Sequence, residues 1–208
     1  MHPNPVHRQT SEADMLTLAR VRSFGILAVN HDDGPLLSHI PFTLSDDGTY
    51  LELHLVRSNP MLRLLENPVT AVIAVSCGDA YVSPDWYGID DQVPTWNYVA
   101  VHLRGKLQRL ENEALEGILR RLSDNMETRL LPKPVWTIDK MEPNALERLM
   151  RQIVPFRMSV DDISGTWKLS QNKDDDVRLG AAEGVASAGI GAETDRLAQM
   201  MRDASKPE

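Results

Sequence analysis

The connections between apolar segments in residues 24–110 leave little room for parallel crossovers, and this limits the fold more than any other feature. Joining two parallel strands takes a dozen or more residues, usually including a helix. Here His31-Asp32-Asp33-Gly34 and Asp46-Asp47-Gly48 are compact turns instead. Asp and Gly tolerate the backbone conformations that tight hairpins demand. The turns separate strands predicted at 24–30, 35–44 and 49–56. In the third, Leu51, Leu53 and Leu55 alternate with Tyr50, Glu52 and His54, the period of two expected of a half-buried strand. Residues 69–76 are a near-continuous apolar run suited to the middle of a sheet, and 81–84 begin a further strand. Residues 95–110 put Val99, Val101 and Leu103 on one face and Trp96, Tyr98, Ala100, His102 and Arg104 on the other. Five or six such strands predict an antiparallel barrel.

Helical patterns flank this core. Residues 11–22 carry Met15, Leu18, Ala19 and Arg22 at helical spacing behind a Thr10/Ser11 cap. After the third strand, Asn59 is a favourable N-cap and Pro60 a favourable first helical residue, which predicts a helix at once. Its free N–H groups, the Ser58 hydroxyl and the Arg57 guanidinium would converge on a spot suited to a phosphate; an ordinary capped helix with Arg57 in solvent fits the same residues. Helices are predicted at 111–125 and 144–153, with stiff Leu131-Pro132-Lys133-Pro134 between them. A last strand follows at 154–160, then a polar segment over 165–173 and a final helical region. The expected organisation is a barrel core over 1–110, helices and a last strand over 111–173 completing the same domain, and a helical tail over 174–208.

The segment 81–98 holds two of the four Trp and three of the four Tyr, interleaved with Ser83, Asp85, Thr95 and Asn97. Planar side chains with polar tips suit the wall of a pocket for a flat ligand; an aromatic turn sealing a barrel end or a subunit interface fits equally. The net charge of −8 opposes nucleic acid and anionic membrane unless a basic patch is segregated. Arg120, Arg121, Arg129, Lys133, Arg148 and Arg151 are candidates for such a face, against the simpler reading of a solvated helix surface. A single cysteine, Cys77, excludes an intramolecular disulfide and suits a reducing compartment. With no basic-then-apolar N-terminal pattern and no run of eighteen apolar residues, a soluble cytoplasmic protein is expected. No nucleophile with a base neighbour, His-Glu-x-x-His pattern or Walker loop is present, so no catalytic residue is assigned. His39, His54 and His102 are expected to be ordinary histidines rather than metal ligands.

Several motifs together resemble the PaiB family of FMN-binding negative transcriptional regulators. They are Ser38-His39-Ile40-Pro41-Phe42, His54-Leu55-Val56-Arg57-Ser58-Asn59-Pro60, Tyr81-Val82-Ser83-Pro84-Asp85-Trp86-Tyr87, Val93-Pro94-Thr95-Trp96-Asn97-Tyr98 and Trp167-Lys168-Leu169-Ser170-Gln171-Asn172-Lys173. The resemblance implies a mainly β fold with helices, a six-stranded antiparallel split β-barrel with a C-terminal helical part, related to pyridoxamine-phosphate oxidase and flavin reductases. It also implies a homodimer with FMN bound between subunits. On this analogy Arg57 and Ser58 sit at the FMN phosphate, and the strand through Trp96 lies near the flavin or the dimer seam. The cofactor-binding set so implied is His39, Arg57, Ser58, Asn59, Trp86, Tyr87, Thr95, Trp96, Asn97, Lys168, Gln171 and Asn172.

Flavin carries hydride and electron transfer by itself, so the protein need only bind, orient and tune it. A flavin-linked negative regulator is therefore expected, against an FMN-dependent oxidoreductase on a small molecule or a haem-binding split barrel. Direct DNA binding is expected to be weak or absent.

Overall fold

The computed structural model describes residues 1–205. Among the described residues, eight strands, β1 (Phe24–Val29), β2 (Leu36–Leu44), β3 (Tyr50–Val56), β4 (Val69–Val82), β5 (Thr95–Arg109), β6 (Ile153–Ser159), β7 (Asp162–Lys168) and β8 (Gly191–Ala192), accompany five α-helices. These are α1 (Glu12–Arg22), α2 (Leu115–Glu127), α3 (Pro143–Met150), α4 (Asp175–Ala188) and α5 (Thr194–Asp203). The sheet order is β7-β5-β6-β3-β2-β1-β4-β8, and β5 also pairs with β4, so β1 to β6 make a ring. This is the antiparallel barrel anticipated from the short turns, in the split form that the family resemblance implied.

The chain divides into two compact units, and α1, β4, β5 and β7 contribute residues to both. One unit comprises Ala19–Ala74 and His102–Ile163. In it β1 lies antiparallel to β2, with Ile26 opposite His39, and β2 to β3, with Phe42 opposite Leu53. β3 pairs with β6, with Leu53 opposite Phe156. The inward positions Phe42, Leu51, Leu53, Leu103, Leu107, Phe156 and Met158 are fully buried. Each such side chain stabilises the fold by roughly 1.5–3 kcal/mol. On the outer face Thr43 stands opposite Glu52 and Glu52 opposite Arg157, giving a polar row across β2, β3 and β6. Helix α2 buries Leu115 and Ile118 and contacts these three strands.

The other unit comprises Met1–Leu18, Val75–Val101 and the chain from Ser164 onward. Helices α4 and α5 pack together in it, burying Ala181, Ala182 and Val185 with Leu197, Ala198 and Met201. The Arg178 guanidinium, almost wholly buried, donates to the Met201 carbonyl at 2.9 Å and pairs with Asp175 at 2.7 Å. Trp86 lies against α4 at Gly184, where an added Cβ would fall 2.3 Å from the indole.

Three local expectations are corrected. The segment 81–84 starts no new strand, because β4 continues from Val69 to Val82. Its turn-like Gly78-Asp79 is absorbed inside the strand, with Gly78 at φ +78°, a conformation open to glycine at little cost. The polar segment begins as a strand, β7, which ends at Lys168. The helix expected at Pro60 is a five-residue 3-10 turn, Pro60–Leu64, ended by Leu65.

Candidate functional site

The expected site residues fall in both units. Thr95 and Asn97 open β5, and the Thr95 and Asn97 side chains are placed by its alternation: Asn97 is fully buried and its neighbour Trp96 is 47% exposed. Tyr87 closes a 3-10 turn, Pro84–Tyr87, capped by the Ser83 side chain. Lys168 ends β7, and the chain then turns through Ser170 at φ +60°. That left-handed conformation is uncommon for a residue with a side chain. It aims the Ser170 hydroxyl inward, where it lies 3.1 Å from the Tyr87 hydroxyl and accepts from Asn97 Nδ2 at 2.9 Å.

These groups line a cavity of about 210 Å³. Five of the expected residues meet there, namely Tyr87, Thr95, Asn97, Lys168 and Asn172. Lys168 Nζ donates to Thr95 Oγ1, and Lys173 Nζ donates to Gln92 Oε1 while lying 5.2 Å from the centre of the Tyr87 ring. Gln171 stands behind the wall. Its amide donates to the carbonyls of Trp167 at 2.6 Å and Val6 at 3.2 Å, tying the N-terminal segment to the turn. Trp86 and Trp96 are not in the lining; each meets Tyr81 edge-on, at 6.2 and 6.4 Å between ring centres.

The N-terminal segment adds a residue that sequence reasoning missed. His7 lines the same cavity, and only 5% of it is exposed. Asn4 caps the short turn Pro5–His7 that carries it, and His2 lies edge-on to its ring at 4.7 Å. Burial, then the neighbouring His2, push the His7 imidazole below its ordinary pKa, so the neutral form is favoured. Burial likewise lowers Lys168 and raises Tyr87, the latter partly opposed by the Ser170 hydrogen bond. Ser170 and Lys173 were legible within the Trp167–Lys173 motif, whereas His7 had no signal in its neighbourhood.

The other expected residues occupy the barrel unit. His39 is exposed on β2, its ring 6.5 Å from that of Phe24. Arg57 donates to the backbone carbonyls of Arg151, at 2.9 Å, and Ile153, at 3.4 Å. Asn59 caps the 3-10 turn by accepting from Met61 N at 3.0 Å, and its amide donates to Ser38 Oγ at 3.1 Å. Ser58 is exposed beside it. A 3-10 turn this short has little macrodipole to offer an anion, which leaves the Arg57 charge as the main attraction at that position.

Two residues lining the cavity carry a buried polar atom with no hydrogen-bond partner among the described residues, Asn97 Oδ1 and His7 Nδ1. Such atoms cost roughly 1–3 kcal/mol each unless a ligand or water completes them. The geometry therefore defines a concave polar site with two positive groups and an aromatic hydroxyl on a split barrel. The chain belongs to the family described as "Putative FMN-binding domain", which matches residues 1–162. FMN is accordingly its cofactor. The sequence is 29% identical to the protease synthase and sporulation protein PAI 2 of Bacillus subtilis, over 96% of this chain and 95% of that one. Among solved structures it is similar to a protein of Mycobacterium smegmatis described as binding FAD and heme. That match has a TM-score of 0.57 and 19% identity, and it covers 89% of this chain and 82% of the other. A conserved hypothetical protein of Mycobacterium tuberculosis gives a TM-score of 0.58 at 16% identity, covering 83% and 94%. At these identities the two structures speak for the fold.

The residues fit the cofactor. The pyrimidine edge of a flavin presents carbonyl acceptors on either side of an N–H donor, which complements an amide oxygen, a neutral imidazole and two ammonium groups. Ligand pockets usually measure about 300–1,000 Å³. A cavity of 210 Å³ thus admits one end of a flavin and not a whole FMN.

Proposed function

We propose that the chain is a flavin-linked negative regulator of transcription in which the cavity of Asn97 and His7 receives the polar edge of FMN. The observation that carries this reading is the pair of buried atoms without partners among the described residues, Asn97 Oδ1 and His7 Nδ1, both on residues that line a cavity in a member of an FMN-binding family. Asn97 and His7 orient the ring edge. Tyr87, Thr95, Lys168 and Asn172 complete the polar wall, and Gln171 holds the N-terminal segment in place. Arg57, Ser58 and Asn59 serve the phosphate, with His39, Trp86 and Trp96 as outer contacts. Bound FMN supplies hydride and electron transfer; the residues here bind, orient and exclude water.

The regulatory half of the proposal is supported by the kinship with the sporulation protein of Bacillus subtilis. The chain acts as a homodimer, a reading supported by exposed Phe24, Leu37 and Val56 on the barrel unit and by exposed Val93 and Trp96. Its effect on transcription does not depend on reading DNA directly. Several cations on the helical part are already engaged: Arg120 by Glu116 and Asp139, Arg121 by Glu52, Lys133 by Glu127 and Arg151 by Glu147.

The flavin reading is tested by the absorption spectrum of the purified protein and by FMN titration. Expected are flavin bands and saturable one-to-one binding per chain; a haem spectrum, or no saturable FMN binding, overturns it. Transcript profiling of a deletion strain tests the regulatory half, and no transcript rising on deletion would sink it.

A further inference from the structure

A second cavity, of about 430 Å³, lies in the barrel unit and is lined by residues of α1, β2, β3 and α2. Glu52 forms part of its wall and is only 4% exposed. Arg121 donates to one Glu52 oxygen from Nε at 2.9 Å and from its terminal nitrogen at 2.6 Å; Arg157 donates to the other oxygen at 2.7 Å. Two guanidiniums thus share one carboxylate, and the cluster keeps one positive charge in surplus. The nearest further charges on the lining are Arg20, which donates to the Ser45 and Asp46 carbonyls, and the exposed Asp46 and Asp124. Solvent weakens the two exposed carboxylates as counter-charges, as it does the half-exposed Arg121 and Arg157.

Two atoms of the polar row beneath α2 lack partners among the described residues: Thr43 Oγ1, on a residue of the cavity wall, and Arg157 Nε, on a residue outside the lining, both buried. Arg157 also lies 4.4 Å above the ring of Tyr50, another wall residue. A buried cationic N–H without an acceptor is costly enough that it marks a missing partner. All of these residues belong to one polar row and the helix above it, and none belongs to the flavin cavity. The cavity holds many times the ~30 Å³ share of a single water, so a bare ion does not fill it.

We infer that this cavity is a binding site for a small organic acid, its carboxylate meeting the Thr43 hydroxyl and the Arg121 guanidinium, whose partner Glu52 is shared with Arg157 outside the lining, and its body lying beside Tyr50. For a flavin-linked protein such a site gives a second input, independent of the flavin.

The test is thermal unfolding of the FMN-loaded protein titrated with sodium benzoate, with sodium chloride and sodium phosphate as references at equal ionic strength. The midpoint should rise saturably with benzoate and not with chloride. Thr43→Val removes the hydroxyl and keeps the shape, and Arg121→Lys keeps the charge on the wall and removes the guanidinium fork. Each should raise the half-saturating benzoate concentration about tenfold while leaving FMN affinity unchanged. No saturable rise, an equal rise with chloride, or unchanged half-saturation in Thr43→Val overturns the site. Saturation by phosphate but not benzoate overturns its assignment to carboxylates. Should Arg121→Lys fail to fold, Thr43→Val alone decides, since the Thr43 hydroxyl has no hydrogen-bond partner among the described residues.

Discussion

The turn at Arg57–Asn59 and the segment Trp167–Lys173 carry equally suggestive residues, yet they use them in opposite ways. At the first, Arg57 is engaged by two backbone carbonyls, and both ends of the Asn59 amide are satisfied by Met61 N and Ser38 Oγ. At the second, Ser170 meets Tyr87 and Asn97, but Asn97 Oδ1 and His7 Nδ1, on residues lining one cavity, have no partner among the described residues. Polar groups that satisfy one another hold a fold together. Buried groups left open ask for a ligand, which makes the second region the better candidate for a flavin contact.

The strongest attempt to break this contrast is Asn97→Ala. It removes the open acceptor and the donor to Ser170, so dissociation constants for FMN and riboflavin should rise together, by roughly 100-fold. Flavin fluorescence titration measures both. A fall in melting temperature with both affinities intact would put Asn97 on the structural side. Arg57→Ala comes next. The guanidinium already serves two carbonyls, so its loss should raise the FMN constant only about tenfold, at the low end for a charge-assisted bond. Riboflavin, lacking the phosphate, should change far less. Equal changes for the two ligands would mean that Arg57 supports the backbone around Arg151 and nothing else. Tyr87→Phe deletes one hydroxyl contact with Ser170 and should weaken both flavins by about threefold; the same titration detects it.

The smallest effect is that of pH. His7 has a folded pKa below its ordinary 6.5, so the unfolded chain binds the proton more readily and stability rises with pH across the interval between the two values. Stability should therefore decline as pH falls below 6.5 and level off beneath the folded pKa. His2, His54 and His102 shift the same way. The informative quantity is the difference between the parent and His7→Gln, measured as melting temperature from pH 7.5 to 5. A His7→Gln curve parallel to the parent would remove His7 from the buried, neutral state described above.

Much of the fold was legible because strands advertise themselves. Leu51, Leu53 and Leu55 alternate on β3, as do Val99, Val101 and Leu103 on β5, and all are buried. The extension of β4 past Ser76 was not legible, since Gly78-Asp79 reads as a turn unless the left-handed glycine is known to be held inside a sheet. Nor was β7, whose Asp162-Ile163-Ser164-Gly165-Thr166 carries no apolar alternation. The site was half legible. Thr95, Asn97, Lys168 and Asn172 lay in motifs, but His7 reaches the cavity from about eighty residues away in sequence from Tyr87, and no local pattern encodes that. The Arg121–Glu52–Arg157 cluster was hidden similarly, because only the register of β3 against β6 sets Glu52 beside Arg157.

The seat of Trp86 on Gly184 has an experimental use. Trp86 is half-buried against a helix backbone, where even a methyl group would not fit, and loses that cover if α4 undocks. A chain keeping Trp86 alone, with Trp96, Trp136 and Trp167 changed to Phe, would turn emission wavelength into a gauge of that helix. It would reveal detachment of α4 under pressure or denaturant as a red shift, read in real time on the intact protein.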